Sequence, residues 1–499
     1  MDPRQDNLDP TGAVDHDAAL PALDEPSGPP KPLPTRRVAR TGTTAEMPPL
    51  AEDSTATPVV ETFPQEVSSP AAFEAQPEAQ LPTEPERDAA PGLRWNVRVL
   101  ALVSFLTSAG SEMVVPLRML FLVAVLQTPL PLAGLIEGLG ESATSLLRIV
   151  SPRLEQRSGR RKPWLLLGYG LSAIARPLLA LVGMWQAALS LILLDRAGRG
   201  LRSTVRDSVI ATQTHGRDRS ETFSFHRGMD ALGALLGPLL AFVVLLLTYD
   251  DLRLVFAGTL VPGVLAVLLL VLFFRERRHV PAANEASAVV PAPVARASSL
   301  GRRFWMFTAI SVVFALGSSS QGFIFLRTAD LMDSALMLPL VYFGFNLVYA
   351  LLTVPLAALS ERFGRLPVLL GGYIIFALVY LGFAVSVEGW NAWGLFLIYG
   401  IYAAATDGMA RAFAAGIVAP EARSTALAWF GGLVGLAALP ANLIAGWLWS
   451  TIGPSATFTF GAWVGVVAIA LTLGWMPWLR SSTPPETAFS GTYDAPALS

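Results

Sequence analysis

A succession of long apolar stretches, separated by proline, glycine or charged clusters, runs from residue 98 almost to the end of the chain. A helix crosses a bilayer core with about 20 apolar residues, and each stretch reaches that length. Of the 499 residues, 53% are hydrophobic and 15% are charged, whereas soluble domains carry about 25% charged residues. The sequence therefore predicts an all-α membrane protein with twelve transmembrane helices in two six-helix halves. The predicted spans are 98–124, 131–151, 163–184, 186–206, 222–248, 253–274, 304–327, 337–359, 367–386, 391–413, 424–449 and 456–478.

The ends of the chain and the middle segment differ from this pattern. Residues 1–91 are rich in proline and alanine and hold 17 acidic and 6 basic side chains, without apolar periodicity. Such a segment buries too little surface to offset its chain entropy, so we expect a disordered tail. The predicted organisation is a tail at 1–91, a first half at 92–275, a linker at 276–302, a second half at 303–480 and a C-terminal tail at 481–499.

Loop charge predicts the orientation in the membrane. Arginine and lysine gather at 153–162, 217–219, 275–303 and 362–365, which are alternate loops, and the loops between them carry mainly acidic residues. Positively charged loops remain in the cytoplasm. Both termini and the linker are therefore expected there, in a bacterial inner membrane, and the first span is expected to act as an uncleaved signal-anchor.

Two related loop motifs mark the halves. RLEQRSGRRKPWLLLGY follows the second span and AALSERFGRLPVLLGGY follows the eighth, and the glycines Gly159 and Gly364 lie roughly 200 residues apart. A six-helix repeat has about this length, and paired halves are a recurring plan of transporters.

The motifs resemble the G-x-L-x-D-R-x-G-R loop of the major facilitator superfamily. Pro152 and Gln156 replace the glycine and the acid in the first copy, and Ala357 replaces the glycine in the second, which keeps the acid Glu361. The resemblance, which covers about residues 94–480, implies twelve helices, transport by alternating access and a gating role for the motif. The implied gating residues are Arg157, Gly159, Arg160, Arg161, Glu361, Arg362, Gly364 and Arg365.

Two further motifs lie in spans four and five. The segment from Arg196 to Gly200 resembles the family's R-x-x-Q-G motif, with Arg199 in place of glutamine, and in the family its first arginine is associated with proton coupling. The segment Gly233–Pro238 resembles the G-x-x-x-G-P motif of drug/proton antiporters. This resemblance adds Gly237 and Pro238 to the expected gating residues and favours export, while close helix packing explains a G-x-x-x-G pattern equally well.

Ionisable residues within the spans are functional candidates because a charge at membrane depth is costly unless it is paired or hydrated. Glu112 lies mid-span, and Glu137 and Glu141 share a face of span two with Arg148. We expect proton coupling at Glu112, Glu137 or Glu141 with Arg196 beside Glu112, and the alternative is a structural Glu141–Arg148 network. Charged residues of spans four and five are expected to pair with each other in a gating network; these include Asp195, Arg199, Arg227 and Asp230.

Polar and aromatic stripes indicate the wall of a substrate cavity. Tyr342, Asn346 and Tyr349 share one face of span eight, and a face of span three carries Tyr169, Ser172 and Arg176, which suits an anionic substrate. In span ten, Asp407 and Arg411 are spaced for an intrahelical ion pair. Asp407 is also a candidate cavity residue.

The leading functional hypothesis is a proton-coupled exporter of a small organic solute. A symporter or uniporter for a nutrient or an anion is the alternative within transport, and a transporter-like receptor or scaffold is the alternative outside it. The sequence has no cysteine, no Walker-type phosphate loop and no nucleophile motif, so we expect no enzyme, metal or cofactor. The expected partners are a small-molecule substrate, protons and the lipid bilayer, with no nucleic acid, and the expected state is a monomer.

Overall fold

The computed structural model of the chain describes residues 91–158, 160–212, 218–276 and 300–480. This part of the chain consists of helices and irregular segments, without a strand. The predicted disorder of the N-terminal tail lies outside the described residues, as do most of the linker and the C-terminal tail.

Six membrane segments form the first half. They are α1 (Pro91–Leu120), α2 (Leu130–Ser158), α3 (Lys162–Leu178), α4 (Trp185–Thr212), α5 (Asp218–Thr248) and the pair α6 (Leu252–Gly258) with α7 (Leu260–Phe273). A π-helical turn, Phe121–Val125, extends α1, and a 3-10 turn, Leu179–Leu181, extends α3.

Six more segments form the second half. They are α8 (Gly301–Gly317) with α9 (Gln321–Met332), α10 (Leu338–Phe363), α11 (Arg365–Val385), α12 (Gly389–Thr406) with α13 (Met409–Gly416), α14 (Arg423–Thr451) and α15 (Pro454–Arg480). Each of the twelve predicted spans overlaps one of these helical segments.

Nine of the described helical segments are long and apolar enough to cross a membrane by composition alone. The segments outside that group are α2, α4 and α12. Helices α2 and α4 carry buried charges in their middle, including Glu137 and Asp195. Helix α12 is rich in glycine, tyrosine and tryptophan, which lowers its hydropathy. Their place in the bundle is consistent with membrane segments whose polar residues face protein rather than lipid.

Two segments of the second half are interrupted in ways that the sequence did not predict. Helix α8 ends at Gly317, and α9 begins after Ser320, whose hydroxyl accepts a hydrogen bond from Gly322 N as an N-cap. Helix α12 ends at Thr406, and α13 begins after Gly408, which has φ +83°, a value that glycine adopts without strain. Each break divides what would otherwise be one continuous membrane helix.

Close packing of small residues joins the two halves along α2 and α14. A side chain added at Gly134 would meet the backbone of Asn442, and one added at Gly446 would meet the backbone of Leu130. Helix α5 also packs against α10, and α1 against α9. Small residues let helix backbones approach closely in lipid, where van der Waals packing drives helix association.

The bundle has two distinct ends. The end where α2 finishes and α3 begins also carries the end of α7, the start of α8 and the junction of α10 with α11. We call it the basic end because it carries Arg160, Arg161, Lys162, Arg275, Arg302, Arg303, Arg362 and Arg365. The opposite end, where α2 and α10 begin, is called the distal end.

Candidate functional site

A cavity of about 620 Å³ lies between the two halves. The wall from the first half is ionic and consists mainly of Glu112, Arg118, Glu137, Glu141, Arg196 and Arg199. The wall from the second half is aromatic and polar, and it includes Phe314, Tyr342, Phe345, Asn346, Tyr349, Tyr373, Tyr399, Tyr402, Asp407 and Asn442. A solute in this cavity would touch charged groups on one side and aromatic rings on the other.

The cavity opens toward the basic end. Asp407, Gly408 and Arg411 line the cavity at the start of α13 and are exposed. Contacts between the halves lie toward the distal end, where Gly446 packs on Leu130. The structure therefore shows the cavity accessible from one end.

Glu112 connects the two halves at the cavity wall. Its carboxylate oxygen Oε2 accepts a hydrogen bond of 2.5 Å from Tyr342 Oη of α10. Gly237 of α5 lies directly behind it, because a Cβ at position 237 would stand 2.8 Å from Glu112 Cβ. The glycines of the G-x-x-x-G-P motif thus permit close packing of α5 on α1, as the packing interpretation predicted.

Two arginines hold the acidic residues of α2. Arg118 donates to both carboxylate oxygens of Glu137, at 2.5 Å from Nε and 2.7 Å from Nη2. Arg196 donates to Glu141 at 2.5 Å and lies 3.5 Å from Glu137. We call these four residues the α1–α2–α4 ion cluster. Arg196, expected beside Glu112, pairs with Glu137 and Glu141 instead.

Sequence reasoning missed Arg118 in this cluster. Arg118 follows Pro116 close to the predicted end of the first span, where an arginine commonly reaches the membrane interface. The sequence did contain a clue, because Arg118 lies inside the first predicted span and the next span carries the two acidic residues Glu137 and Glu141. The proposed partner of Glu141, Arg148, has a side chain outside the described part of the structure.

A second ion-pair group lies inside the first half and reaches the large cavity only through Arg199. Arg176 Nε is 2.9 Å from Asp195 Oδ1, and Arg199 Nη2 is 3.7 Å from Asp195 Oδ2. Ser172 and Tyr169 are also buried there, with the Arg202 guanidinium bonded to Ser172 Oγ. The prediction that Tyr169, Ser172 and Arg176 line the substrate cavity is therefore wrong, because α3 turns this face toward α4.

The charged residues of α5 find partners on α1. His226 Nε2 lies 2.9 Å from Ser104 Oγ, and Asp230 Oδ1 accepts a hydrogen bond of 2.5 Å from Ser108 Oγ. Arg227 is exposed. The expected pairing of these residues with α4 is not what the structure shows, because α5 packs along α1.

Asp407 lies at the break between α12 and α13. Its carboxylate accepts a hydrogen bond of 2.9 Å from Tyr349 Oη of α10. The predicted Asp407–Arg411 pair of one continuous helix is wrong, since the helix stops at Thr406 and restarts at Met409. On the same face of α10, Asn346 donates to Ala234 O of α5 at 3.1 Å and thereby joins the two halves.

The break between α8 and α9 also faces the cavity and was not expected. Asn442 Oδ1 of α14 accepts a hydrogen bond of 2.7 Å from the backbone of Ser320. Ser318, Ser319, Ser320 and Gln321 line the cavity. The serine run in the sequence was the available signal for this interruption.

The two loop motifs lie at the basic end. In the second copy, Gly364 has φ +92°, and Arg365 donates to Ala412 O of α13 at 3.1 Å, while Glu361 and Arg362 are exposed. In the first copy, Gly159 and the side chain of Arg157 lie outside the described residues. The backbone N–H of Arg161 donates to Glu276 Oε1 at 2.9 Å.

Twelve helical segments in two halves, with an ionic and aromatic cavity between them, define a multi-pass membrane transporter. The chain belongs to the major facilitator superfamily, whose family model matches residues 100–339 and 310–497. An uncharacterized MFS-type transporter of Methanocaldococcus jannaschii is 31% identical over 386 residues, which is 76% of this chain and 94% of that protein. An uncharacterized protein of Mycobacterium tuberculosis is 27% identical over 347 residues, 68% of this chain and 81% of that protein.

Solved structures share the fold. The nucleoside transporter NupG, as a mutant, matches with a TM-score of 0.63 and 15% identity over 77% of this chain and 99% of that chain. A POT family transporter in complex with 5-aminolevulinic acid matches with a TM-score of 0.63 and 13% identity, over 77% and 96% of the two chains. At these identities the likeness concerns the fold alone.

Proposed function

We propose that this transporter is proton-coupled, that it carries a small organic solute by alternating access, and that Glu112 is the coupling residue. The observation that supports the proposal is the hydrogen bond from Tyr342 to Glu112, which joins the two halves at the cavity. Protonation of Glu112 would remove the negative charge from the carboxylate that accepts the hydrogen bond of Tyr342, and so would change the contact between the two halves. A driven conformational change requires such a difference in stability between two states.

The neighbouring acids are less suited to the task. Glu137 is buried and bonded through both oxygens to Arg118, and Glu141 is paired with Arg196. An adjacent arginine favours the ionised form of a carboxyl group, so a proton would have to displace an ion pair. Glu112 instead accepts from a neutral phenol, and we assign Glu137, Glu141 and Arg196 a structural role within the first half.

The orientation and gating roles extend the proposal. The basic end is assigned to the cytoplasm of a bacterial inner membrane by the positive-inside rule. The cavity then opens to the cytoplasm, and the loop-motif residues stand beside its mouth. We assign Arg160, Arg161, Glu361, Arg362 and Arg365 to closing that mouth in the alternate state.

Glu112→Gln tests the coupling role because glutamine imitates the protonated acid. In proteoliposomes, with a solute first identified by screening wild-type protein and supplied at a saturating concentration, the variant should retain exchange of solute across the membrane. It should lose accumulation driven by a pH gradient. Glu388→Gln is the matched control, since Glu388 is exposed at the distal end and should behave as wild type. Accumulation by the Glu112 variant as steep as that of wild type would show that protons couple elsewhere.

The proposed direction is export, which rests on the resemblance of Gly233–Pro238 to the antiporter motif. A pH gradient that is acid inside everted membrane vesicles should drive solute into them. Uptake under that gradient into right-side-out vesicles of the same cells, with acid outside, would identify import.

A further inference from the structure

Three aromatic rings form a ladder on the cavity face of α10. The ring of Tyr342 stacks on that of Phe345 with centroids 5.7 Å apart, and Phe345 stacks on Tyr349 with centroids 6.3 Å apart. The interplanar angles are 14° and 12°, so the rings are nearly parallel. We call Tyr342, Phe345 and Tyr349 the α10 ring ladder. It runs from the interior of the cavity toward the open, basic end.

A carboxylate lies at each end of the ring ladder. Tyr342 donates to Glu112 of the first half, and Tyr349 donates to Asp407 at the break in the second half. Within the described residues, neither carboxylate has an arginine, lysine or histidine within ion-pair distance. Both carboxylates line the cavity, and each accepts a hydrogen bond from an uncharged tyrosine hydroxyl. An aromatic surface therefore extends from the carboxylate of Glu112 to that of Asp407.

The arginines of the opposite wall are largely occupied. Arg118 is held by Glu137, and Arg196 is held by Glu141. Arg199 has a longer contact of 3.7 Å with Asp195, which also binds Arg176. An anionic solute would have to compete with these internal carboxylates. A cationic solute would meet two carboxylates that have only phenol partners, and it would meet Arg411 only at the exposed mouth of the cavity.

We propose that the cavity selects an organic cation with a flat apolar body, which lies along the α10 ring ladder and places its positive charge between Glu112 and Asp407. The carboxylates at the two ends of the ladder attract a positive charge, and the aromatic surface between them contacts the apolar body. The inference rests on the proposed function, because it takes this cavity as the transport site. It concerns the class of solute and not the coupling ion.

Three probes of one shape but different charge test the selection. N-methyl-4-phenylpyridinium is the cation, biphenyl-4-carboxamide is the neutral probe and biphenyl-4-carboxylate is the anion. Isothermal titration of purified wild-type protein in detergent should show the cation binding at least about tenfold more tightly than the anion, and more tightly than the amide. Equal affinity for all three, tighter binding of the anion or amide, or no binding of the cation would overturn the assignment.

Variants of the ladder locate the bound cation. Phe345→Leu should weaken cation binding by about two- to tenfold, because the apolar body of the cation loses aromatic contact with the cavity wall. Phe383→Leu is the matched control, because Phe383 is a fully buried ring outside the cavity lining. Asp407→Asn should weaken binding of the cation and leave the amide unaffected. Unchanged cation affinity in both Phe345→Leu and Asp407→Asn would place the cation elsewhere.

The binding measurement is independent of the coupling measurement. Titration in detergent has no proton gradient, so it reports charge preference whether or not Glu112 couples protons. A cation-selective protein whose Glu112→Gln variant still accumulates solute would refute the coupling role alone. A protein that loses coupling in that variant but prefers the anion would refute the cation assignment alone.

Discussion

The ion cluster of the first half predicts an unequal cost for removing its two sides. Glu137→Leu leaves Arg118 without a charged partner, because both hydrogen bonds of the Arg118 guanidinium go to Glu137. The Glu137 side chain is 3% exposed and that of Arg118 is 11% exposed. Removing one partner of a buried ion pair typically costs about 3–5 kcal/mol. The unfolding equilibrium constant should rise by roughly a hundred- to several-thousand-fold.

Arg118→Leu should cost less, because Glu137 still has Arg196 at 3.5 Å. The double variant Arg118→Leu/Glu137→Leu should recover most of the loss, since replacing a buried ion pair by apolar residues of similar volume is often neutral. Unfolding of purified protein in mixed micelles, followed as a function of the mole fraction of SDS, measures the free energies. Equal losses for the two single variants, or a double variant worse than Glu137→Leu, would refute the partner assignment.

Three further predictions concern packing, topology and the tail. Gly237→Ala should reduce both stability and transport because the added methyl group meets the α1 backbone, whereas Gly228→Ala, at an open position of the same helix, should be neutral or stabilise by up to about 1 kcal/mol. Thermal unfolding and transport of the two variants give the comparison. Single cysteines at positions 56, 294 and 497 should not react with an impermeant thiol reagent added outside intact cells, because all three positions are expected in the cytoplasm. Labelling at these positions would show that the predicted orientation is wrong. Deletion of residues 1–90 should leave transport per inserted protein unchanged, and a loss at equal membrane abundance would assign the tail a role in the cycle.

The sequence predicts the number and order of the spans because lipid imposes a length and an apolar composition on each helix. Length and apolar composition do not predict the breaks between α8 and α9 and between α12 and α13. Asp407 and Gly408 are polar residues of the kind that a cavity-lining helix also carries, and the turn becomes visible only through the positive φ of Gly408. At Ser318–Ser320 the N-cap is local, but the contact with Asn442 depends on a helix more than a hundred residues away.

The candidate site was only partly predictable for a related reason. Helical spacing identifies which residues share a face, and it placed Tyr342, Asn346 and Tyr349 together correctly. It does not fix the rotation of a helix against its neighbours. The face of α3 that carries Arg176 therefore turned toward Asp195 of α4, and Arg196 turned toward Glu141, although each residue type suited the expected role.

The junction where the chain leaves the first half is fastened by an exchange of helix caps. Glu276 accepts from the first N–H groups of α3, and Lys162 Nζ donates to Val271 O and Phe274 O at the end of α7. The two ends of the first half are thereby joined before the chain enters the linker. Its contacts with the second half come from α2 against α14, α5 against α10 and α1 against α9 rather than from the covalent connection. The transporter should accordingly tolerate being made as two separate polypeptides divided within residues 277–299, which assemble into one functional bundle.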